Sequence, residues 1–407
     1  MSKIYTIGEV AKLNQSSIAT NDVFESIEYL DTSSLTENKI NNLQTLNKNF
    51  PSRAKRKVKN NTILYSTVRP NLEHHGILQN IDCSRLIAST GFTTIDVDES
   101  IANPKYVYYK LTQPFITQYL QTVAESAVSA YPSIKPNDIS TLKFRFPELE
   151  IQRKIAGVLS ALDDKIELNR KINAELEQMA RTLYDYWFVQ FDFPDAHGKP
   201  YKTSGGPMKS SPELNRQIPT DWEVLKLEDR LVFDKGTEPG ASAYSDTKDD
   251  ENDTTFYRVG DIDGNSSTYI NASLFKPKLV SSSDVIVTFD GSVGKIGIGL
   301  DGAISGGLRH IYDKEGKISN ATIYSIFRNE YIQKTIERYA TGSVILHASS
   351  SIKYLAIPFD EKVVTEFQKI TQPLFDKIIA NRQQSQKLAE LRDWLLPMLM
   401  NGQVSVE

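Results

Sequence analysis

Apolar residues recur at steps of three and four along two long stretches of the chain, which is the spacing of one helix face. The first stripe consists of Ile151, Ile155, Val158, Leu162, Ile166, Ile172, Leu176, Met179 and Leu183. The second consists of Val364, Phe367, Ile370, Leu374, Ile378, Leu388, Leu391 and Leu395. We therefore predict two long amphipathic helices, at residues 148–193 and 359–402.

One asparagine interrupts each stripe, Asn169 in the first and Asn381 in the second. Two such stripes most simply bury each other, and each helix follows a globular region, so an antiparallel pairing is expected. The asparagines would then fix the register, as a polar residue does in a coiled-coil seam. The alternative is that each stripe packs on its own domain. The residues predicted to pair the helices are Leu162, Ile166, Asn169, Ile172, Leu176, Leu374, Ile378, Asn381, Leu388 and Leu391.

The chain also repeats itself around these helices. The matching segments are residues 106–130 with 322–346, 63–65 with 285–287, and 144–147 with 355–358. The order strand-rich region, short helix, strand, proline and long helix thus occurs twice.

The regions before the helices are rich in short apolar runs that end in glycine or aspartate, which predicts strands. Residues 194–217 combine proline, glycine, lysine and serine and predict a loop-like linker. We expect an α+β fold in which two similar β-rich domains are separated by two long helices that form an antiparallel coiled coil. The domains are predicted at residues 1–147 and 218–358, with a short tail at 403–407.

At 407 residues the chain is long for a single core and suits two or three domains. Its one cysteine, Cys83, cannot form an internal disulfide, which fits a reducing cytoplasm. No stretch approaches the roughly 18 apolar residues that span a bilayer. The five histidines are scattered without metal-ligand spacing. We expect a cytoplasmic protein with no membrane contact and no metal.

Four motifs that would indicate catalysis or a cofactor fail, either because a required residue is missing or because the surrounding sequence does not fit. Asn103–Tyr106 lacks the second proline of an adenine methyltransferase loop, and Gly294–Lys295 fails the Walker A pattern. Gly297–Gly302 matches the dinucleotide fingerprint, but the residues after it favour a glycine-rich hairpin over the required helix. Asp313–Lys317 loosely resembles a nuclease site, yet its glycine and polar surroundings favour a turn. We expect a non-catalytic chain that holds no cofactor.

The net charge is −4, which argues against a strong basic field for nucleic acid. Residues 53–59 are a local exception, because five cations occur there without an acid. A second candidate is Arg69-Pro70-Asn71, where the proline fixes the backbone and presents its neighbours. The alternatives are a solvated loop for the first segment and a turn without a ligand for the second.

The loops of the second half that correspond to these segments carry glycines, which would let the backbone approach phosphate. Phosphate contacts use cations, hydroxyls and backbone amides, whereas arginine, lysine, asparagine and glutamine read base edges. The residues predicted to contact DNA are Arg53, Lys55, Arg56, Lys57, Arg69, Asn71, Ser133, Lys135, Ser292, Lys295, Arg309, Ser343, His347 and Lys353.

Four stretches of the chain resemble the specificity subunits of type I restriction–modification enzymes. They are Pro51–Arg56 with Ser66–Asn71, Leu183–Phe188 with Phe191–Phe193, Ile218–Pro219 with Asp221–Glu223, and Leu395–Gly402. Taken in order they cover nearly the whole chain. Residues 1–40 and the interior of each domain match less well, as expected where different members read different DNA.

The resemblance implies two target-recognition domains, each of which reads one half of a split site in double-stranded DNA. It also implies that the helices set the spacing and dock two methyltransferase subunits, which restriction subunits can join. Those partners would supply adenine methylation, S-adenosylmethionine binding and cleavage driven by ATP with Mg²⁺. They would also share the phosphate contacts, which makes the acidic charge of this chain tolerable.

Two rival functions remain open at this point. A two-headed scaffold that binds protein or glycan would also explain the acidic charge and the incomplete catalytic motifs. An enzyme with an unfamiliar site is the other rival. DNA binding that weakens steeply with salt would favour the first interpretation, because phosphate contacts release counterions.

Overall fold

The computed structural model describes residues 2–19, 21–126, 132–264 and 266–406. The helices are α1 Ile7–Val10, α2 Pro104–Leu111, α3 Pro114–Ser126, α4 Pro136–Ser140, α5 Leu149–Tyr184, α6 Leu227–Arg230, α7 Ala272–Phe275, α8 Asn320–Arg328, α9 Glu330–Arg338 and α10 Glu361–Met400. A π-helical turn, Asp185–Val189, directly follows α5. Short 3-10 helices include Thr32–Ser34, Pro70–Leu72, Ala241–Ala243, Val259–Asp261 and Ser349–Tyr354.

The strands before α5 are β1 Lys3–Thr6, β2 Ala11–Leu13, β3 Ile27–Leu30, β4 Leu35–Thr36, β5 Lys39–Ile40, β6 Gln44–Leu46, β7 Ala54–Lys57, β8 Ile63–Ser66, β9 His75–Ile77, β10 Leu86–Ser89, β11 Phe92–Val97 and β12 Lys143–Phe146. The strands after it are β13 Met208–Ser211, β14 Arg216–Pro219, β15 Glu223–Lys226, β16 Leu231–Lys235, β17 Asp253–Tyr257, β18 Tyr269–Asn271, β19 Leu279–Val280, β20 Val285–Thr288, β21 Ile296–Gly297, β22 Gly302–Ile304, β23 Leu308–Asp313 and β24 Ala356–Phe359.

The chain divides into two compact units. The first unit contains residues 1–165 and 388–407, and the second contains residues 166–387. Both boundaries therefore fall inside long helices, one within α5 and one within α10. Each unit contains one β-rich domain together with a segment of each long helix.

The first unit is built on two four-stranded sheets, in the orders β2-β11-β8-β9 and β6-β3-β10-β7. All pairs in these sheets are antiparallel except β3 with β10, which is parallel. Strand β1 pairs separately with β12. All four residues of β8 are buried, because this apolar strand lies inside its sheet.

The second unit repeats this topology strand for strand. Its sheets have the orders β16-β23-β20-β21 and β18-β17-β22-β19, and β15 pairs with β24. The single parallel pair, β17 with β22, corresponds to β3 with β10. The predicted α+β fold with two similar β-rich domains and two long helices is confirmed. The last part of the first repeated segment, residues 127–130, lies outside the described residues.

A glutamine, the buried Gln152 in one helix and the half-buried Gln368 in the other, joins the start of each long helix to its domain. The side chain of Gln152 accepts a hydrogen bond from the backbone N–H of Asn103 at 2.9 Å, and Asn103 caps α2. Gln368 accepts from the backbone N–H of Ser319, the cap of α8, at 2.5 Å. The two domains thus hold their short helices on the long ones in the same way.

The long helices pair in antiparallel fashion through buried asparagines in the second unit. Asn169 donates from Nδ2 to Oε1 of Gln384 at 2.8 Å and to Oγ of Ser385 at 3.3 Å. Asn381 donates to Oδ1 of Asn173 at 2.8 Å. The two predicted asparagines therefore both lie in the helix interface, but Asn173 and not Asn169 is the side-chain partner of Asn381. The α10 residues that face this interface also pack on the domain core, so both predicted modes of packing occur together.

We expect Asn381→Ala to lower the free energy of unfolding of the second unit by about 1–3 kcal/mol, because it leaves the buried Oδ1 of Asn173 without its donor. The double variant Asn173→Ala/Asn381→Ala should cost less than the sum of the single changes, since neither partner is left behind. A double-mutant cycle in urea measures this coupling. Additive effects of the two changes would contradict the pairing.

In the first unit, the end of α10 packs against the start of α5. Leu396, Leu399 and Met400 are buried in the same core as Ile155 and Leu159. The predicted pairing residue Leu391 is 42 % exposed and lies at the edge of this contact.

A polar cluster ties the same helix segments to the domain of the first unit. Asp163 of α5 forms an ion pair with Arg392 of α10 at 2.9 Å, and it accepts a hydrogen bond from the hydroxyl of Tyr109. Nζ of Lys110 donates to the carbonyl of Met400 at 2.6 Å, and burial lowers the pKa of this lysine to about 8.

The predicted linker is more ordered than a loop. Residues 208–211 form β13, which pairs with β14 in register from Met208 with Pro219 to Ser211 with Arg216. Backbone hydrogen bonds hold this hairpin, whereas most side chains of β13 are polar. The apolar alternation that marks a half-buried strand is therefore missing from the sequence.

Candidate nucleic-acid interface

Three loops of the first unit meet through backbone hydrogen bonds beyond the end of β8. The N–H of Thr67 donates to the carbonyl of Gly91 at 2.8 Å, and that of Arg69 donates to Pro132 at 3.0 Å. The N–H of Ile134 donates back to Thr67 at 2.8 Å. We call these residues, with Val68 and Ser133, the first loop frame. It joins loops that are far apart in sequence into one surface.

The second unit contains the same arrangement. The N–H of Phe289 donates to Gly307 at 2.9 Å, that of Gly291 donates to Leu346 at 2.8 Å, and that of Ala348 donates to Phe289 at 2.8 Å. These residues, with Asp290 and His347, form the second loop frame. Each of the three hydrogen bonds has its counterpart in the first loop frame. The predicted correspondence between the loop at Arg69 and the loop at residues 290–295 is therefore confirmed at the level of the backbone.

The basic segment of the first half forms a strand and not a loop. It is β7, at the end of the sheet order, and the carbonyl of Arg53 just before it accepts from the N–H of Thr90 beside the first loop frame. Arg53 and Lys55 are exposed. Arg56 donates to Oγ of Ser17 at 3.3 Å.

The same segment meets an acid from elsewhere in the chain. Lys57 forms an ion pair of 2.5 Å with Asp22. The run is free of acids in sequence but not in space, so Arg53 and Lys55 are better placed than Lys57 to meet phosphate.

The other predicted residues of the first half lie on or next to the first loop frame. Arg69 and Asn71 are exposed and flank the buried Pro70. Ser133 forms a bridge with Val68, and the exposed Lys135 precedes α4. The structure thus brings together predicted residues that come from two separate loops.

In the second half, Ser292, Lys295 and Ser343 are exposed on loops of the frame region. His347 is exposed as well, and its Nδ1 lies 2.6 Å from Oδ1 of Asp290. Lys353 is exposed with its Nζ 4.9 Å from the ring centroid of Tyr354.

Arg309 differs from the other predicted residues because its side chain is buried, with 6 % of the residue exposed. Its guanidinium donates to the carbonyls of Gly306 and Leu308 and to Oγ of Ser349. Because Arg309 is buried, it supports the neighbouring loop at Gly306. We had expected its side chain to extend outward from that loop toward DNA. Arg309 was predicted on a loop, but it lies in the strand β23, and the sequence gives no sign that its side chain points inward.

A cleft of 920 Å³ opens beside the second loop frame. Its lining combines both signs of charge, and includes Lys235, Glu238, Arg258, Asp290, Gly306 and His347. Glu238 accepts from the N–H of Gly306 at 2.9 Å, and Arg258 donates to Oγ1 of Thr268 at 3.0 Å. The sequence analysis missed Glu238 and Arg258, because they lie between the repeated segments where no pattern marks them.

An apolar loop tip lies next to this cleft. Thr341 and His347 close the loop with two backbone hydrogen bonds, of 2.9 and 2.7 Å. At the tip, Val344 is 94 % exposed and Ile345 is 56 % exposed. Only the polar residues of this loop were predicted from the sequence. In the structure, the hydrogen bonds between Thr341 and His347 hold the loop closed while its apolar side chains are exposed to solvent.

The motifs that resembled catalytic sites have structural roles. Asp313 forms an ion pair of 2.6 Å with Arg230 and accepts from the backbone N–H groups of Lys317 and Ile318. The fingerprint at Gly297–Gly302 leads into the strand β22 and not into a helix. It is also not the expected hairpin, since β21 and β22 belong to different sheets.

Among the described residues, none of the helices is both long enough and apolar enough to cross a membrane. Clusters of three or more potential metal ligands are absent from the same part of the chain.

The repeated loop frames and the paired helices define a class: a protein with two equivalent recognition surfaces on one chain. The family model of the type I restriction modification DNA specificity domain matches residues 2–178. The relatives described next are specificity subunits of type I restriction enzymes, to which the chain is similar.

The chain is 24% identical to the type I restriction enzyme HindI specificity subunit of Haemophilus influenzae, over 99% of each protein. It is 28% identical to the MjaIX specificity subunit of Methanocaldococcus jannaschii, over 79% of this chain and 74% of the relative. The crystal structure of the type I restriction–modification S subunit from M. genitalium matches 98% of this chain and 96% of its own, with a TM-score of 0.54 and 15% identity. That last likeness supports the fold alone.

Proposed function

We propose that this chain is the DNA-reading subunit of a type I restriction–modification complex, in which each loop frame reads one half of a bipartite site. The observation that carries the proposal is the double occurrence of one backbone frame in a chain that resembles specificity subunits along its whole length. Exposed cations beside the frames, such as Arg53 and Lys295, suit phosphate. The apolar tip at Val344 suits thymine methyl groups.

The long helices would set the distance between the half-sites. Helices α5 and α10 contain 36 and 40 residues. At about 1.5 Å per residue, their lengths of roughly 54 and 60 Å exceed one turn of DNA, which is about 34 Å. Their buried asparagines would keep the spacing fixed, because a sliding register would leave polar groups unpaired.

The partners that we propose are double-stranded DNA, two methyltransferase subunits and, in the full complex, restriction subunits. S-adenosylmethionine, ATP and Mg²⁺ would be bound by those partners, and this chain would contribute recognition without catalysis. Because the chain has a net charge of −4, the partners would also share the contacts to phosphate.

Selection from a random DNA library tests the proposal, with the chain purified together with its companion methyltransferase. We expect two short enriched blocks, separated by a gap of constant length that is not read. Binding to the enriched site should weaken linearly in log salt, as phosphate contacts require. A scrambled site of the same composition is the control for non-specific binding.

The other outcomes have definite meanings. One continuous block would keep the DNA-binding function but contradict two readers at a fixed spacing. An absence of enrichment at low salt would overturn the proposal and favour the two-headed scaffold for protein or glycan.

A further inference from the structure

The two loop frames share a backbone but carry different side chains. The equivalent positions are Val68 with Asp290, Arg69 with Gly291, and Ser133 with His347. At each position the chemistry changes: an apolar side chain corresponds to a carboxylate, a guanidinium to no side chain, and a hydroxyl to an imidazole. The shared backbone hydrogen bonds do not involve these side chains, so the three positions can differ while the frame stays the same.

The backbone of Arg69 is left-handed, a conformation that ten other described non-glycine residues also adopt, and its counterpart in the second unit is a glycine. Arg69 has φ 48° and ψ 72°, and the equivalent Gly291 has φ 71°. Glycine adopts this region without cost, whereas other residues are destabilised there by roughly 1–2 kcal/mol. Strained residues of this kind cluster at functional sites. The first unit therefore keeps an arginine where the fold favours glycine.

We propose that these three equivalent positions determine which bases each domain reads, with Arg69 reading a guanine. The inference rests on the proposed function. Arginine pairs with the O6 and N7 acceptors of guanine in the major groove through two hydrogen bonds. The second domain has no arginine at this position, and its Asp290–His347 pair suits a base edge with an amino group, as in cytosine or adenine.

The substitution Arg69→Gly separates reading from folding. Since glycine suits the left-handed backbone, the unfolding midpoint should stay equal or rise. The full chain with its companion methyltransferase should lose preference for one guanine in the first half-site, and affinity for the wild-type site should fall by about 5- to 150-fold. The second half-site and the gap should not change.

The reciprocal substitution, Gly291→Arg, uses the same logic in the second domain. A Cβ at Gly291 would have Val259 as its nearest neighbour, at 3.5 Å, which is ordinary van der Waals contact. The left-handed backbone should cost the variant roughly 1–2 kcal/mol of stability, as it does at Arg69, without preventing folding. The variant should gain preference for a guanine in the second half-site only. Lys48→Gly is the matched control for Arg69→Gly, because it also replaces an exposed cation on a loop of the first unit with glycine, but outside the first loop frame.

The same library selection measures the preference of every variant. Its results distinguish a failure of the three specificity positions from a failure of the proposed function. If the wild type selects two blocks but Arg69→Gly and Gly291→Arg leave both blocks unchanged, the specificity positions are wrong and the proposed function stands. A lower unfolding midpoint of Arg69→Gly together with general loss of binding would assign Arg69 a structural role. Without enrichment by the wild type, the proposed function itself fails.

Discussion

A chain shortened to end at Lys387 is expected to lose the folded first unit while the second unit stays folded. The shortened chain lacks Leu396, Leu399 and Met400, which are 8 %, 3 % and 5 % exposed in the core of the first unit. Truncating one such side chain costs about 2–5 kcal/mol. Their combined loss therefore approaches the whole stability of an ordinary domain, about 5–15 kcal/mol.

Amide hydrogen exchange followed by mass spectrometry measures this effect separately in each unit. We expect loss of protection in peptides that contain β8 and β11, and unchanged protection in peptides that contain β20 and β23. Trp394→Ser is the matched control, because Trp394 lies on the same helix segment and is 58 % exposed. Retained protection of β8 in the shortened chain would show that α10 is dispensable for the first unit.

The same dependence bears on a fragment that ends after α5, near Phe193. Such a fragment also lacks the end of α10, so its first domain would expose the apolar surface that this helix covers. We expect two copies to pair through their helices and to read a symmetric site. A monodisperse monomer with full affinity for DNA would contradict this pairing.

The long-range architecture could be predicted because its signals are long. Periodic apolar stripes extend over many turns, and the repeat recurs in the same order, so single exceptions such as the exposed Ile370 do not hide them. The asparagine interruptions were visible for the same reason. Asn173 was not, since it lies one turn from Asn169 and breaks no pattern on its own.

The candidate interface was less predictable because it depends on side-chain direction and on contacts between distant segments. Lys57 looked free in sequence, but Asp22 comes from a loop 35 residues earlier (57 − 22). Arg309 alternates along β23 like any strand residue, and only the structure shows that its guanidinium turns inward to Gly306. The loop frames are held by backbone groups, which no side-chain pattern records.

The backbone of each loop frame does not depend on the side chains at the frame positions, so those side chains can vary while the frame stays the same. Backbone hydrogen bonds fix each loop frame, and the glutamines Gln152 and Gln368 fix the short helices, so neither depends on the side chains at the frame positions. Such a division lets recognition change by substitution without loss of the fold.

Asp163→Ala is expected to be among the most destabilising single substitutions outside the apolar core. The variant would leave the guanidinium of Arg392 with only the more exposed carboxylate of Asp393, at 2.8 Å, and would remove the acceptor of the Tyr109 hydroxyl. Burial acts to lower the pKa of Arg392, and Asp163 raises it. Since an arginine side chain stays charged in proteins, the substitution would leave a partly buried charge with weaker pairing. Breaking a buried pair costs about 3–5 kcal/mol, and we expect about 2–4 kcal/mol here because the two side chains are 28 % and 23 % exposed.

Urea unfolding of the first unit, followed by the same hydrogen exchange, measures the change in the free energy of unfolding. Glu150→Ala is the matched control, since Glu150 pairs with Lys154 at 3.8 Å on the helix of Asp163 in the same unit, but the two side chains are 80 % and 43 % exposed. An exposed pair of this kind contributes about 0.2–1 kcal/mol. The double variant Asp163→Leu/Arg392→Met should recover most of the lost stability, because it removes both charges together. If Asp163→Ala costs no more than Glu150→Ala, the cluster does not hold α10 on the first unit, and the apolar residues at the end of the helix do so alone.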